Sequence, residues 1–135
     1  MGSRLTITVI WGDGDDQHEE VSSIAQLDEV LDRVQGFAEE EQPPIIDVEV
    51  PDQGVMRIGL SAQGAVLSVM SSSLDPPYFN SVGNHEDGPD LTFSYRGHWT
   101  DFPVRFSVPV ADSREAAKRF ALGEFLPNNV KWEET

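Results

Sequence analysis

Hydrophobic and polar residues alternate from the start of the chain. Leu5, Ile7, Val9 and Trp11 interleave with Thr6 and Thr8, the period-2 signature of a strand with one buried face. It ends at Gly12, and residues 12–20 (Gly-Asp-Gly-Asp-Asp-Gln-His-Glu-Glu) read as a turn followed by an acidic run. The period then changes. Ile24, Leu27, Leu31 and Val34 recur at helical spacing, with Asp28, Glu29 and Asp32 on the other face. Ser23 and Gln26 fit a capping box, and Gly36 stands where a C′ glycine belongs. Residues 39–44, Glu-Glu-Glu-Gln-Pro-Pro, form a polar linker that no helix crosses.

Alternation resumes with Ile46, Val48 and Val50, then, after Pro51-Asp52-Gln53-Gly54, with Met56, Ile58 and Leu60. A second turn, Ser61-Ala62-Gln63-Gly64, leads into residues 65–70, which are apolar on both faces as in a central strand. The three runs predict a meander. Residues 71–90 have no period and read as a long loop, a feature that is commonly functional in a compact domain. Tyr78 and Phe79 inside it either pack on the body or face a partner.

Leu91, Phe93 and Tyr95 predict another strand, followed by a turn-rich aromatic segment, Gly97 to Pro103. Residues 104–110 are a short strand or an extended lead-in to a helix. Asp112 and Glu115 cap that helix, Ala116, Ala117, Phe120 and Ala121 form its buried face, and Gly123 stops it. Val130 and Trp132 alternate with Lys131 and Glu133 in a final strand. Trp99 and Trp132 read as core or rim-of-core aromatics, large apolar groups each with one N–H to satisfy. The sum is a single α+β domain over residues 1–135, a mostly antiparallel sheet of five to seven strands with two helices. Gly2-Ser3 has the look of a cloning scar.

Charge narrows the function. The chain has 24 Asp+Glu against 9 Lys+Arg, a formal charge of −15 at pH 7. Nine scattered basic residues cannot build the cationic stripe that displaces counterions from phosphates. An anionic membrane surface repels the chain for the same reason, so neither nucleic acid nor membrane is an expected partner. No apolar run reaches the length of about 18 residues that a spanning helix needs, and Met-Gly-Ser-Arg-Leu lacks the layout of a signal peptide. There is no cysteine, hence no disulfide framework, thiolate metal site or cysteine nucleophile. The expected location is the cytoplasm.

Catalytic templates fail. There is no phosphate loop, dinucleotide fingerprint or nucleophile elbow. His18-Glu19 and His85-Glu86 are not continued to a zinc-binding helix motif. Asp13, Asp15 and Gln17 have calcium-loop spacing, but His18 takes the place of its glycine and Ile24 that of its glutamate. His18-x-Glu20 matches half of the zinc-deaminase signature, whose other half requires cysteines. The spacing of His18, His85 and His98 demands no metal site, and the acidic runs at 15–20 and 39–41 read as solvated faces. The chain is expected to be no enzyme, with no catalytic residues, no metal and no cofactor.

The C-terminal third carries a family resemblance. Tyr95-Arg96-Gly97-His98-Trp99-Thr100-Asp101-Phe102-Pro103, then Ser107-Val108-Pro109-Val110, the helix from Arg114 to Phe120, and Val130-Lys131-Trp132-Glu133 follow one another in an order that resembles an immunity-protein family of bacterial polymorphic toxin systems, the first-numbered of the Imm families. The N-terminal part is similar in layout, with Leu27-Asp28 and Leu31-Asp32 in its helix. Where the family often has a tryptophan or serine-rich stretch before the Gly-His-Trp segment, this chain has Ser71-Ser72-Ser73 and Tyr78-Phe79. The resemblance implies a binding protein that neutralises a cognate deaminase-type toxin domain. The alternative is a small acidic interaction or regulatory module without a toxin. A homo-oligomer stays open, because an uncovered edge strand can pair with its twin.

Loops on a rigid sheet usually carry recognition. The expected partner contacts are therefore Asp13, Asp15, Asp16, Glu19 and Glu20 in one loop and Tyr78 and Phe79 in the other. The family-motif residues Gly97, His98, Trp99, Phe102, Pro103, Trp132 and Glu133 are expected to be scaffold. Opposite fields accelerate encounter. Charge reversal of Asp13, Asp15 and Asp16 together is thus expected to slow association with the toxin and flatten its salt dependence in stopped-flow measurements; an unchanged on-rate would defeat the steering idea.

Overall fold

In the computed structural model, which describes residues 6–11, 17–84, 87–95 and 97–135, the alternating runs become strands and the helical runs helices. In chain order these are β1 (Ile7–Trp11), β2 (Gln17–Val21), α1 (Ile24–Gln35), β3 (Ile45–Val50), β4 (Gly54–Ser61), β5 (Gly64–Met70), β6 (Phe79–Val82), β7 (Leu91–Tyr95), β8 (His98–Phe102), α2 (Val110–Ala121) and β9 (Lys131–Glu134). Among the described residues, seven strands form one sheet in the order β2-β1-β3-β4-β5-β6-β9, and β7 and β8 form a separate hairpin. Every strand pair is antiparallel. The architecture is α+β, with two α-helices among the described residues, as the periodicities predict.

Strand geometry sends successive side chains to opposite faces. Ile7, Val9, Ile46, Val48, Met56, Ile58, Leu60, Leu67 and Val69 share one face, where they pack against Leu27, Val30, Leu31 and Val34 of α1 and Ala116, Ala117 and Phe120 of α2. Each fully buried Val, Leu, Ile, Met or Phe side chain here contributes about 1.5–3 kcal/mol of transfer free energy. The intervening residues Ile45, Asp47, Arg57, Gly59, Val66 and Ser68 point to the opposite face, against which neither α1 nor α2 packs.

Local corrections follow from hydrogen bonding. Ser23 caps α1 as expected, accepting from the Gln26 N–H at 3.2 Å. The Gln26 side chain returns the bond to Ser22, whose N–H donates at 2.7 Å, one residue earlier than the motif requires. Gly36 has a right-handed φ of −60° and is no left-handed cap; the chain coils on through further turns, with Phe37 and Ala38 donating to Val34 and Gln35. Helix α2 begins at Val110 behind Pro109, so Asp112 lies inside its first turn, facing the positive end of the helix dipole, and does not cap it. Residues 104–106 form a 3-10 turn rather than a strand.

Two strands lack an alternating apolar pattern. The acidic run carries no alternating apolar signal, yet Gln17–Val21 is the edge strand β2, whose Glu19 answers Arg33 of α1; charged residues are well placed on a strand that neighbours must not extend. Within the stretch read as a loop, residues 79–82 form β6. Its pattern is masked because a serine is fully buried there. Ser81 Oγ accepts from the Leu67 N–H at 3.0 Å and donates to the Phe106 carbonyl at 2.8 Å. It thereby ties β5 to residues 105–108, which wedge between β5 and β6 through Val108–Ala65 and Gly83–Arg105 backbone bonds.

The two helices are cross-linked by charge. Arg114 Nη2 lies 3.1 Å from Asp28 Oδ1 and 2.7 Å from Asp32 Oδ1, and Lys118 Nζ is 3.2 Å from Asp28 Oδ2. Burial alone would raise the Asp28 pKa, but hydrogen bonds from Arg114 and Lys118, together with their charges, outweigh it and hold the carboxyl below its ordinary 3.8. A carboxyl with a lower pKa folded than unfolded stabilises the protein fully above the unfolded value, and that contribution is lost as pH falls through the folded value. Asp28→Asn is therefore expected to cost up to about 1 kcal/mol near neutral pH, since the pair is partly exposed. It should also shrink the stability loss between about pH 7 and about pH 3. Urea midpoints at both pH values check this; equal losses in variant and wild type would contradict it.

Candidate functional site

The face without helices is covered in part by the β7–β8 hairpin. Gly97, at a φ of +84° that L side chains rarely adopt, turns the chain between the strands. The register pairs Tyr95 with His98, Ser94 with Trp99, Phe93 with Thr100, Thr92 with Asp101 and Leu91 with Phe102. Leu91, Phe93, Tyr95 and Phe102 face the sheet and form a second core with Ile45, Val66 and Phe106. Phe93 is fully buried and meets Phe102 edge to face at 5.9 Å between ring centres.

Two contacts seat the hairpin. The Phe93 ring lies over Gly59, where a Cβ would come within 2.8 Å of it. Beside it, Asp47 is 3% exposed and accepts from the Tyr95 hydroxyl at 2.9 Å and from Arg57 Nε at 3.2 Å. The Arg57 guanidinium lies 4.7 Å above the Tyr95 ring, so one carboxylate orients both partners of a cation–π pair.

A groove opens on each side of the hairpin. One, of about 320 Å³, is mainly apolar and lined by Arg57, Met70, Leu74, Tyr78, Tyr95 and Phe102. The other, of about 430 Å³, is rimmed by Glu40, Glu41, Asp87 and Asp90 and borders Thr92 and Val104. Those four carboxylates are exposed, and among the described residues none has an ionic partner.

The four expected contact residues that the structure describes, Glu19, Glu20, Tyr78 and Phe79, do not lie together. Asp13, Asp15 and Asp16 lie outside the described residues. Glu19 is engaged by Arg33 Nη2 at 2.6 and 2.8 Å, a bond that raises the Arg33 pKa. Glu20 is exposed on the other face of β2. Tyr78 is 37% exposed, lines the apolar groove and donates its hydroxyl to the Leu74 carbonyl at 3.0 Å. Phe79 points to the helix side, where it meets Phe125 edge to face at 6.2 Å. The order β2-β1-β3-β4-β5-β6 puts Glu20 five strand spacings from β6, roughly 24 Å at about 4.8 Å each.

The motif residues divide. Trp132 packs partly buried on the main core and donates its indole N–H to the Pro127 carbonyl at 2.9 Å. Glu133 accepts from Arg105 Nη1 at 2.8 Å, which raises the Arg105 pKa. Phe102 belongs to the second core, and Pro103 leads, exposed, into the 3-10 turn. Gly97, His98 and Trp99 are exposed. Trp99, expected in the core or at its rim, is 65% exposed because it pairs with the outward-facing Ser94. Sequence reasoning passed over Asp101. It stands two residues from Trp99 on the same strand face, and Asp101 Oδ1 accepts from the Trp99 indole N–H at 2.8 Å and from Thr92 Oγ1 at 2.7 Å.

The family model for Immunity protein Imm1 matches residues 15–134. The chain belongs to the Imm1 family. A comparison with curated proteins finds no match. Membership gives the chain an immunity function with a toxin as partner, in a family that is generally non-enzymatic. Among the described residues, no group of three or more His, Asp or Glu is arranged to hold a metal ion, and no helix is long and apolar enough to cross a membrane. The matched span runs through both seating contacts of the hairpin, Gly59–Phe93 and Asp47–Tyr95. In this Imm1 protein, Gly59→Ala is expected to push Phe93 off the sheet and cost about 1–3 kcal/mol, read as a lowered urea midpoint. An unchanged midpoint would show that the hairpin tolerates a lifted Phe93.

Proposed function

We propose that this Imm1 protein binds and neutralises a cognate deaminase-type toxin of a polymorphic toxin system by direct protein contact in the cytoplasm. The observation that carries the reading is how its charge is distributed. Arg33, Arg57, Arg105, Arg114, Lys118 and Arg119 each have a carboxylate of the same chain as partner. The excess that leaves the formal charge at −15 includes exposed carboxylates such as Glu20, Glu40, Glu41, Asp87 and Asp90, which face solvent with no cation beside them among the described residues.

A nucleic-acid deaminase has to draw in a polyanion, so its substrate channel needs a positive field. A protein of opposite field is steered to that channel and can set carboxylates where phosphates would lie. The likeness of residues 95–133 to immunity proteins usually encoded beside deaminase toxins supports this toxin class. Glu20 and Tyr78, with Asp13, Asp15 and Asp16 of the acidic run, are candidate contacts, whereas Glu19 is bonded to Arg33 and Phe79 packs against Phe125. No step of this activity asks the chain for a catalytic group, metal or cofactor.

The test mixes the purified protein with the deaminase domain encoded beside it and follows both complex formation by gel filtration and deamination of a nucleic-acid substrate. A stable complex is expected, with deamination abolished at one equivalent and affinity falling as salt rises. Full deamination in the presence of excess protein would overturn the reading.

A further inference from the structure

We infer that the outward face of the β7–β8 hairpin is where the toxin anchors, with the Trp99 indole receiving a toxin arginine on its ring face. This rests on the reading of the partner as a protein with a basic nucleic-acid site. Trp99 exposes 65% of its surface, whereas Phe37 and Tyr78 are each 37% exposed. An exposed indole is normally free to turn. This one is held, because its N–H is donated to Asp101 Oδ1 at 2.8 Å and that oxygen also takes the Thr92 hydroxyl at 2.7 Å. The ring's one polar atom is satisfied within the hairpin, so what it offers to a partner is a fixed aromatic face. Fixing a side chain before binding removes much of the ordering cost at association, and tryptophan is the residue most enriched at the energetic centres of interfaces.

The surroundings specify the occupant. Asp101 has no cation of its own among the described residues. Thr92, bonded to Asp101, also borders the groove rimmed by Glu40, Glu41, Asp87 and Asp90. An indole face beside unpaired carboxylates is a cation site, and cation–π attraction is strongest on tryptophan. Arginine suits it better than lysine, because a planar guanidinium stacks on the ring and still directs N–H groups to a carboxylate. A polyanion is repelled by the same carboxylates. A second copy of this chain is a poor occupant, since it carries the same −15 charge and Arg33, Arg57, Arg105, Arg114 and Arg119 are already paired within their own chain.

The experiment compares wild type, Trp99→Ala, Trp99→Phe and Asp101→Asn for binding to the deaminase domain, with urea midpoints confirming that each is folded. Trp99→Ala is expected to weaken binding about thirtyfold, mainly through faster dissociation, with Trp99→Phe and Asp101→Asn intermediate. Wild-type affinity in a folded Trp99→Ala protein, or in a folded Trp99→Phe and Asp101→Asn pair should Trp99→Ala not fold, overturns the inference and leaves the toxin reading standing. If wild type does not bind the deaminase domain, the toxin reading fails and a short oligoarginine peptide decides the surface. Quenching of indole emission that disappears in Trp99→Phe, where Trp11 and Trp132 still report, upholds the cation site; quenching that persists in Trp99→Phe, or none in wild type, overturns it.

Discussion

The absence of a side chain at Gly59 governs what the helix-free face of the sheet can be. A sheet with both faces apolar needs a layer on each side, and the two helices serve only one. The hairpin is the second layer, and it reaches the sheet because Phe93 lies where the Gly59 side chain would be. With Phe93 down, Tyr95 is brought to Asp47 and Arg57, and the register then fixes every outward residue. Ser94, Thr92, Trp99 and Asp101 face solvent as a consequence of Phe93, Leu91, Tyr95 and Phe102 facing in. The surface offered to a partner is thus the reverse side of a packing decision made in the core.

Much of this was legible before the structure. The meander β3–β4–β5 and helix α1 follow from period alone, since each has an uninterrupted apolar face. Strands β2 and β6 were hidden for different reasons. β2 is an edge strand whose side chains answer Arg33 or solvent, so little apolar signal remains. β6 buries Ser81, and a serine whose hydroxyl links two backbone groups is as much an interior residue as a valine, although hydropathy scores it as polar. The outward placement of Trp99 has a signal in the sequence. Two residues between Tyr95 and His98 suffice for a tight hairpin, which sets Trp99 opposite Ser94 on the polar side of β7. What periodicity could not show was that Glu20 and Tyr78 lie at well-separated strands, because strand order in a sheet is settled by tertiary pairing.

The charge acquires a direction in the folded protein. Composition states only an excess of acid, which alone serves solubility as well as recognition. The fold spends its described arginines largely within its own layers: Arg114 and Lys118 bind the helices to each other, Arg33 holds β2 to α1, and Arg105 holds the 3-10 turn to β9. Among the described residues, the exposed carboxylates Glu40, Glu41, Asp87, Asp90 and Asp101 have no such partners, so the uncompensated field lies around the hairpin that carries the only tryptophan these residues leave mostly exposed.

Field and ring do different work. Exposed carboxylates are screened over about 8 Å at physiological ionic strength and contribute little each to the bound state; their effect is on how often partners meet in a useful orientation. Residence depends on groups that lose water on contact, and among the outward hairpin residues only Trp99 brings a large apolar surface. An immunity protein against the proposed deaminase-type toxin needs both. It would have to capture that toxin before it reaches nucleic acid, which is a demand on association rate. It would also have to hold against a polyanion present in large excess, which is a demand on dissociation rate. A cation site built on a pinned indole inside a one-signed field meets the two demands with one surface, and it does so without placing a buried charge that would need a partner in the free protein.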